Sequence, residues 1–346
     1  MTKLLAALLT SSDLEILKLS YDCVKKQKGH NLQVTVNIVV NTLNDDYYTE
    51  VQEHFKNVEV IRTESNGKPG KGHNSLLTLF KKNSEVYDYF LPLDGDDFLF
   101  PYSFSRIEHY MNYSPDILML GFTDVLTYGF PQNKLHYVID DKCYYCYNNF
   151  VDNMRGLWLK TKESPFKKDI CQINSAGRLL LCSKKGLNID FKFDENVRWY
   201  DDTHMFLGLF EQHTLNEQEY NIFMLNDKDI YLYNMLNTAS VSSAFKKGNT
   251  EQKKKEEEQM FRKSVKNKFL AIREWDIHKM KFLEADTDEK FKVKDKIIFV
   301  ENLVSKINHA VKIQIDPHAV IAREMFRRHA VEKNSPDMIE VYGRTK

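Results

Sequence analysis

The sequence predicts an α/β fold in which a mostly parallel sheet is flanked by helices, with a helical extension at the C-terminal end. Apolar segments of strand length alternate with segments of helical periodicity from residue 3 to residue 121. Such alternation is typical of βαβ units, whose strands run parallel. Right-handed crossovers place the loops after these strands at one edge of the sheet, so four polar loops are expected to converge there, at residues 10–11, 41–46, 68–74 and 94–97.

Each predicted element in the first third of the chain has its own signal. The strands are short apolar runs, often β-branched, at residues 3–10, 32–40, 58–62, 89–93 and 116–121. The helices between them have apolar residues at spacings of three and four, at residues 13–28, 47–57, 74–82 and 103–113. Ser11, Ser12 or Asp13 can cap the first helix, and Gly29 ends it.

Beyond residue 121 the periodicity is weaker. Residues 125–175 are rich in tyrosine, asparagine and charge, which predicts loops with short strands. Strands are then expected at residues 178–182 and 230–233, with a helix from 203 to 212. From residue 246 the chain becomes dense in lysine and glutamate, and helices are predicted at residues 269–282, 293–313 and 318–329. This change predicts a domain boundary near residues 245–250.

The segment YDYFLPLDGDDFLFP, residues 87–101, carries the strongest functional signal. An apolar run leads into Asp94, Asp96 and Asp97, and a second apolar run follows. The first run predicts a buried strand, and open α/β sheets bind ligands beyond the carboxyl ends of their strands. Carboxylates this close repel each other unless a cation lies between them, and a hard divalent cation prefers oxygen ligands. The alternative is a plain acidic turn, because Asp and Gly favour turns.

Composition narrows the class of protein. A chain of 346 residues with 42% hydrophobic and 28% charged residues is typical of globular proteins. Its formal net charge of zero removes the global electrostatic signature of a nucleic-acid binder, although a local basic face stays open. No apolar run reaches the roughly 20 residues that span a bilayer, and no cleavage site follows the apolar N-terminal run. We therefore expect a cytoplasmic protein.

Five cysteines at irregular spacings argue against a secreted disulfide framework. Cys143 and Cys146 form a CxxC pair, which could join Cys171 and Cys182 in a zinc site of four thiolates. The second pair is too widely spaced for a zinc knuckle, and Cys182 lies in an apolar run where a buried free thiol is the usual outcome. We therefore favour free thiols, and zinc remains the alternative.

Four segments resemble nucleotide-sugar glycosyltransferases of the GT-A fold, most closely the inverting family 2. LPLDGDDFLFP resembles that family's strand, DxD motif and helix start, and NGKPGKGHNSLL resembles its glycine-rich loop. FDENVRWYDDTHMFLGL resembles its FDE segment with the acidic pair that opens a helix, and YLYNMLNTASVSS its tyrosine-rich strand and serine turn. The four occur in the family's order. The resemblance implies a Rossmann-like catalytic domain over residues 1–245 and a helical region over residues 246–346.

The resemblance also implies a role for each matched residue. Asp96 would bind Mn²⁺ or Mg²⁺ together with Asp94 and Asp97, and Asp94 would also contact the ribose or diphosphate of the donor. Asp202 matches the catalytic base, and Asp201 stands where the family usually has Glu. The implied donor-binding residues are Thr10, Ser11, Asn41, Lys68, Lys71, Asn74 and Asp94.

Two departures from the family pattern concern the donor. Asn41 and Thr42 replace an acidic pair that reads the base, so the base stays open, with a UDP-sugar as the first expectation. His73 stands where the family has Arg, so Lys68 or Lys71 is expected to face the diphosphate, unless these lysines lie in a solvated loop. For Asp202 the alternative is a helix N-cap, and the two roles are compatible.

Sugar transfer by this mechanism requires two separate groups of carboxylates. Sugar transfer from a nucleoside diphosphate needs the leaving diphosphate neutralised, which a divalent metal does as a Lewis acid. It also needs an acceptor hydroxyl deprotonated as it attacks, which a carboxylate does. A single displacement would invert the anomeric centre, with Asp202 on the acceptor side.

The acceptor is open at this stage. A saccharide or cell-surface glycan is one expectation, and a hydroxymethylated base in DNA is another, because the Lys-, Asn-, Tyr- and Phe-rich composition suggests a phage-like source. In that case the protein would work in the host cytoplasm. DNA would need a basic groove, which residues 246–268 or Arg323, Arg327 and Arg328 could supply.

Other functions remain as alternatives. A nucleotidyltransferase acting on a sugar phosphate shares the metal chemistry, but its glycine-rich basic loop is absent after the first strand. A non-catalytic scaffold on the same fold is a third interpretation, against which the intact Asp94, Asp96 and Asp202 argue. The amphipathic C-terminal helices fit acceptor binding, a homodimer or a docked partner equally.

Overall fold

The computed structural model describes most of the first 120 residues and separate stretches thereafter. The described residues are 1–27, 29–120, 122–127, 135–139, 143–149, 178–197, 201–202, 204–205, 208–209, 220–227, 229–234, 236, 256, 281–284 and 293–310. The expected helix at residues 318–329, Cys171 and most of the lysine- and glutamate-rich stretch lie outside them.

Strands and helices alternate from the N-terminus. The strands are β1 (Thr2–Thr10), β2 (Leu32–Val40), β3 (Glu59–Arg62), β4 (Tyr89–Asp94), β5 (Phe98–Leu99), β6 (Ile117–Leu120), β7 (Phe122–Thr127), β8 (Leu135–Ile139), β9 (Cys143–Asn149), β10 (Arg178–Ser183), β11 (Ile222–Asn226), β12 (Tyr231–Asn234) and β13 (Lys281–Glu284). The helices are α1 (Leu14–Lys25), α2 (Asp45–His54), α3 (Pro69–Lys82), α4 (Ser103–Met111) and α5 (Val293–Ala310).

The main sheet has eight described strands in the order β13-β11-β6-β10-β4-β1-β2-β3. Neighbouring strands in it are parallel except at β10, which runs antiparallel to both β4 and β6. The predicted fold class is confirmed: an α/β protein with a mostly parallel sheet flanked by helices. A second described sheet has the order β5-β12-β7-β9-β8, and its strand β5 follows β4 directly in the chain.

Strand β1 shows how alternate side chains build the two cores. Leu5 and Ala7 contribute to a cluster with Leu76 and Phe80 of α3 on one face of the sheet. Leu4, Ala6 and Leu8 contribute to the cluster on the other face, which includes side chains of α1, α2 and α4. Successive side chains of a strand point to opposite faces, so a strand covered on both sides must be apolar throughout.

Helix starts follow from caps, and one of them differs from the prediction. Asp13 caps α1, because its carboxylate accepts a hydrogen bond from the backbone N–H of Ile16 at 3.1 Å. Helix α3 begins at Pro69, five residues before the predicted start at Asn74. The glycines and the proline of this segment disfavour a helix by propensity, but proline is well suited to a first helical turn. The glycine-rich stretch is therefore the first turn of α3.

The C-terminal region contributes to the main sheet and its core. Residues 281–284 form β13, which pairs with β11, so the predicted helix over residues 269–282 is wrong at its end. Helix α5 agrees with the predicted helix at residues 293–313, and its buried side chains pack with Ile16 and Phe100. The division at residue 245 stays a prediction, but elements from both sides of it share one sheet and one core.

A buried group of charges joins α5 to the main domain. This α5 ion cluster consists of Arg106, Asp227, Asp229 and Lys296. Arg106 Nη2 lies 2.8 Å from Asp227 Oδ2, and Lys296 forms an ion pair with Asp229. Tyr110 donates its hydroxyl hydrogen to Asp227 at 2.7 Å. Each charge has an opposite charge beside it, which is the usual condition for burying ions.

Two further expectations concern the thiols and the membrane. Cys23 and Cys182 are free, and Cys182 is buried, as expected for a thiol in an apolar strand. Burial raises the pKa of Cys23 to about 12, so this thiol is protonated at neutral pH. Within the described part of the chain, no helix combines the length and apolar character needed to cross a bilayer.

Candidate functional site

The acidic turn lies at the carboxyl end of β4, where four short hydrogen bonds hold it. Gly95 donates its N–H to the carbonyl of Leu9 at 2.7 Å, which joins the turn to β1. Ser20 of α1 donates to the carbonyl of Asp97 at 2.6 Å, and Asn234 Nδ2 donates to the carbonyl of Asp96 at 2.9 Å. The backbone N–H of Asn234 also donates to Asp97 Oδ1 at 2.8 Å.

Gly95 leaves room for this close approach. A Cβ atom at Gly95 would lie 3.0 Å from the carbonyl oxygen of Leu9 and 3.0 Å from Leu17 Cδ1. Both distances are tight for a Cβ atom, so a larger residue would require the neighbouring atoms to move by a few tenths of an ångström. Glycine in the DGDD sequence therefore suits the close contact between the turn and β1.

The three carboxylates of this turn fit a divalent cation. One oxygen from each of Asp94, Asp96 and Asp97 can be chosen so that all three lie within 4.8 Å of one another. Asp94 and Asp96 are half-buried, while Asp97 is buried. Hard divalent cations take carboxylate oxygens as ligands, so the donor set suits Mg²⁺ or Mn²⁺.

Arg178 lies within this cluster, although it was not among the predicted site residues. Its Nη1 is 2.7 Å from Asp94 Oδ2 and 2.6 Å from Asp97 Oδ2, and it also contacts the hydroxyl of Tyr231. Because β10 is antiparallel, its first residue lies at the edge where the parallel strands end. The only sequence signal for Arg178 is that an arginine begins an otherwise apolar strand. The sequence did not show that this strand runs antiparallel, so Arg178 could not be placed at the edge with the acidic turn.

His73 joins the acidic turn to the second carboxylate pair. Its Nδ1 lies 2.8 Å from Asp201 Oδ2, and its Nε2 lies 3.2 Å from Asp94 Oδ1. The imidazole ring packs against Phe193, with 4.5 Å between ring centroids. In the sequence, His73 stands out only as a replacement for Arg. In the structure it connects two motifs that are far apart in the chain.

The charged side chains of the site shift each other's pKa values. Burial alone would lower the pKa of His73, but hydrogen bonds with Asp201 and Asp94 raise it to about 10, so both ring nitrogens donate at neutral pH. Burial alone would raise the pKa of Asp94, but Arg178 and His73 hold it well below its usual value. Burial raises the pKa of Asp97 well above its usual value, and Asp96 and Asp94 add to this effect while Arg178 opposes it.

Asp201 and Asp202 lie in a helical turn, as predicted for the start of the helix after the FDE segment. Asp201 is buried and hydrogen-bonded to His73, whereas Asp202 is half-buried. His73 therefore fixes the first residue of the acidic pair relative to Asp94. The general-base role of Asp202 stays a prediction.

The predicted donor-binding residues at the start of α3, including its N-cap Lys68, contact the FDE segment, which is residues 193–197. Asn74 holds this segment through three hydrogen bonds, which join its side-chain amide to Phe193 and Glu195. Lys68 donates to the carbonyl of Asn196 at 2.5 Å, and Lys71 Nζ is 3.5 Å from Glu195 Oε2. These side chains bind protein in the structure, and their contact with a donor stays a prediction.

Gly70 permits the close packing of α3 on this segment. A Cβ atom there would lie 2.2 Å from the carbonyl oxygen of Asp194. No real contact is that short, so the backbone of residues 193–197 occupies space that only glycine leaves open. Gly70 thus allows the start of α3 to pack directly on the backbone of Asp194 and Glu195.

The other predicted donor-binding residues line the carboxyl ends of β1 and β2. Asn41 donates through Nδ2 to the carbonyl of Lys68 at 3.0 Å and accepts from Thr63 Oγ1 at 3.1 Å. Thr10 Oγ1 is 2.5 Å from the hydroxyl of Tyr47, and Ser11 is exposed. Burial raises the pKa of Tyr47 well above its usual value, and the nearby Asp96 adds to this effect. Tyr47 was not among the predicted site residues.

The four polar loops converge, as expected from the connectivity. The N–H of Asn41 donates to the carbonyl of Thr10 at 2.7 Å, and its side chain reaches Lys68. Gly95 bonds to Leu9, and His73 connects α3 to Asp94. The residues that sequence reasoning missed are those that couple the loops: Arg178, Tyr231, Asn234 and Tyr47.

No family model and no curated protein matches the chain. Among solved structures, it is similar to S. aureus TarS 1-349 in complex with UDP-GlcNAc, with 15% identity over 70% of this chain and 61% of that chain, at a TM-score of 0.46. It is also similar to GalNAc-T7 with UDP, GalNAc and Mn²⁺, with 8% identity over 67% of this chain and 42% of that chain, at a TM-score of 0.41.

The matched part spans only 37% of another TarS chain, so this chain matches less than two thirds of each of these proteins. These TM-scores, at identities of 8% and 15%, establish neither a common activity nor a common substrate.

Proposed function

We propose that the chain is a metal-dependent, inverting glycosyltransferase that moves a sugar from a nucleoside-diphosphate sugar to an acceptor hydroxyl. A UDP-sugar is the donor that we test first. Asp94 and Asp96 form the donor side of the site, and Asp202 acts on the acceptor as general base.

One observation carries this proposal: His73 connects Asp94 of the acidic turn to Asp201 of the acidic pair. Transfer from a nucleoside diphosphate needs one carboxylate group at the leaving diphosphate and another at the attacking hydroxyl. The DGDD sequence and the Asp201–Asp202 sequence meet through a single imidazole. An acidic turn without a function would not require this second group.

Mn²⁺ or Mg²⁺ fits the carboxylates of the turn, with Asp96 and Asp94 as the residues that would hold it. When bound, such an ion neutralises the leaving diphosphate as a Lewis acid. The protein keeps the turn in place through its bonds to β1, α1 and β12. Pre-positioned charges of this kind need little rearrangement during the reaction.

The acceptor side depends on the acidic pair. Asp202 takes the proton of the acceptor hydroxyl as the oxygen attacks the anomeric carbon, and the bond to the diphosphate oxygen breaks on the opposite face. Asp201, held by His73, keeps this helical turn at a fixed distance from the donor side. A carboxylate that is only partly exposed to water is suited to this step, because its basicity depends on its surroundings.

The donor identity is tested with the full-length protein and a panel of UDP-, GDP-, dTDP- and CMP-sugars. Each donor is incubated with Mn²⁺, with Mg²⁺ or with EDTA, and binding and slow hydrolysis are measured. We expect one nucleotide to bind and to be hydrolysed only with metal. Asp96→Asn should abolish the metal-dependent binding and hydrolysis of this donor. The control is Asp22→Asn, which changes an exposed carboxylate paired with Lys26 and should leave both unchanged.

Other results would redirect the proposal. If no donor binds to folded, metal-loaded protein, the glycosyltransferase proposal is wrong. Release of pyrophosphate from a nucleoside triphosphate and a sugar phosphate would instead identify a nucleotidyltransferase. If Asp96→Asn retains metal-dependent donor binding, the metal ligands have been misassigned.

The acceptor class is tested separately. Glycans and DNA that contains hydroxymethylated bases are offered to the enzyme with the identified donor. DNA binding depends steeply on salt because counterions are released from the phosphates. A strong loss of acceptor binding between low and moderate salt supports DNA, and little change supports a glycan.

A further inference from the structure

We propose that Arg178 binds the transferred sugar of the donor through Nε and Nη2 of its guanidinium group. The sugar presents a pair of neighbouring oxygen atoms to these nitrogens, either from two adjacent hydroxyl groups or from a carboxylate. This inference rests on the proposed function and deepens it, because it assigns the sugar subsite of the same reaction to a residue on β10.

Strand β10 places Arg178 on the far side of the acidic turn from the predicted nucleotide loops. In the main sheet β10 lies between β4 and β6, whereas β1 and β2 lie on the other side of β4. Asn41, expected near the base, follows β2, and Asp94, expected at the ribose or diphosphate, ends β4. A donor that runs from β2 across β4 therefore reaches β10 with its sugar, one strand spacing of about 4.8 Å further on.

The guanidinium group of Arg178 is fixed through one of its nitrogens. Nη1 lies 2.7 Å from Asp94 Oδ2 and 2.6 Å from Asp97 Oδ2, and it also donates to the hydroxyl of Tyr231. The group lies over the rings of Tyr231 and Tyr233, with 4.7 Å and 5.4 Å from the guanidinium carbon to the ring centroids. Arginine stacks well on aromatic faces, so these contacts restrict its orientation as well as its position.

The rest of the guanidinium group keeps its capacity to donate hydrogen bonds. Nε carries one N–H and Nη2 carries two. Within the described part of the chain, the hydrogen bonds of this side chain all come from Nη1. The side chain is 28% exposed, which leaves it accessible to a ligand. A partly buried donor without an acceptor is costly, and a ligand that supplies oxygen atoms removes this cost.

The chemistry of these donors decides what they recognise. A guanidinium group has no acceptor, so its partner must present oxygen lone pairs. Nε–H and one N–H of Nη2 form a planar fork that matches two neighbouring oxygen atoms, including those of a carboxylate. The adjacent Asp94 offers only acceptors when it is ionised. Donors and acceptors side by side suit a sugar, because its hydroxyl groups both donate and accept hydrogen bonds.

The test compares a nucleotide with and without its sugar, by calorimetric binding to the full-length protein in the presence of Mn²⁺. The probes are UDP, UDP-glucose and UDP-glucuronate, or the same set with the nucleotide that the donor panel selects. We expect Arg178→Gln to weaken binding of the sugar nucleotides at least about tenfold, as for loss of a charged hydrogen bond, and to leave UDP binding within about twofold. A larger loss for UDP-glucuronate identifies a carboxylate as the partner, and an equal loss identifies the hydroxyl pair.

Two further variants complete the comparison. Arg178→Lys retains the positive charge beside the two aspartates but lacks the fork of two nitrogens, so it should show the same selective loss if Arg178→Gln fails to fold. The control is Arg62→Gln, which removes an arginine that pairs with Asp45 and lies 5.1 Å from the ring centroid of Tyr48. This control should change the binding of neither UDP nor UDP-glucose.

The outcomes separate this inference from the proposed function. An equal loss of UDP and of sugar nucleotides in the Arg178 variants would show that Arg178 acts through the acidic turn. No loss of either would show that Arg178 does not contact the donor. Both results overturn the inference and leave the proposed function intact. If no nucleotide binds to the wild type, the proposed function is wrong and the sugar subsite is wrong with it.

Discussion

The acidic turn with its cations and Asp201, here called the acidic site, contains the same residue types as the α5 ion cluster. The two groups differ in the balance of positive and negative charges and in their exposure to solvent. Among the described residues of the acidic site, Asp94, Asp96, Asp97 and Asp201 face the cations Arg178 and His73. In the α5 ion cluster, two carboxylates face two cations. The side chains of Asp94 and Arg178 are 25% and 28% exposed, whereas that of Asp227 is fully buried.

This difference is the one we expect between a group of charges that binds a ligand and a group that only joins elements of the fold. A balanced and sealed cluster satisfies its own charges and is suited to joining elements. A cluster with excess negative charge, open to solvent at the carboxyl ends of parallel strands, can still accept a cation and a ligand. Exposure and charge balance together distinguish the two, although both contain an arginine between carboxylates.

The largest expected effect concerns the open site. Asp202→Asn should lower donor turnover by about 10²- to 10⁴-fold, because a general base contributes rate of this order. Donor binding and Mn²⁺ binding should remain, since Asp202 is assigned to the acceptor side. Steady-state turnover and calorimetric donor binding measure both. Turnover within tenfold of the wild type would show that Asp202 is not the general base.

A substitution in the α5 ion cluster should lower the stability of the protein without changing its turnover. Lys296→Met leaves the buried Asp229 with only Arg106, at 4.0 Å, as an opposite charge, which should lower the free energy of unfolding by about 3–5 kcal/mol. Urea denaturation followed by circular dichroism measures it. Lys18→Met, in the exposed pair with Glu15, is the control and should change stability by less than about 1 kcal/mol. If Lys296→Met changed turnover of the folded enzyme but not stability, the contrast between the clusters would fail.

The third prediction concerns the packing that sets the acidic pair. Gly70→Ala places a Cβ atom 2.2 Å from the carbonyl oxygen of Asp194, so α3 and the FDE segment must separate. A displacement of about 1 Å can cost about 10²-fold in rate, and we expect a loss of that order in turnover. Thr78→Ala, at an exposed position on α3, should have little effect. Equal turnover in the two variants would show that this contact does not position the pair.

The smallest expected effect is at the edge of the open site. Lys71 pairs with Glu195 at 3.5 Å, with both side chains about one third exposed, at 33% and 38%. Lys71→Ala should therefore change stability by less than about 1 kcal/mol. If the ammonium faces the donor diphosphate, the KM for the donor should rise about tenfold, as for loss of a charged hydrogen bond. Unchanged KM would show that Lys71 pairs with Glu195 and does not contact the donor.

The sequence predicted those parts of the fold that depend on local pattern. The apolar runs gave the positions of β1, β2 and β4, and the alternation with helices correctly implied that the polar loops converge. The start of α3 was missed because glycine and proline weigh against a helix, while packing on Asp194 favours it. Strand β13 was missed because its short apolar run is also compatible with a helix.

Local pattern also singled out Asp94, Asp96 and Asp97, since clustered carboxylates repel each other and are costly unless a cation or a ligand offsets that repulsion. The Asp201–Asp202 pair was singled out by the resemblance to the glycosyltransferase family. What sequence alone could not decide is how these groups meet. Arg178 reaches the site because β10 inserts antiparallel between β4 and β6, and His73 reaches both carboxylate groups because α3 packs on the FDE segment. Such contacts join residues that are distant in the chain, and their energies depend on burial and direction, which exist only in the folded structure.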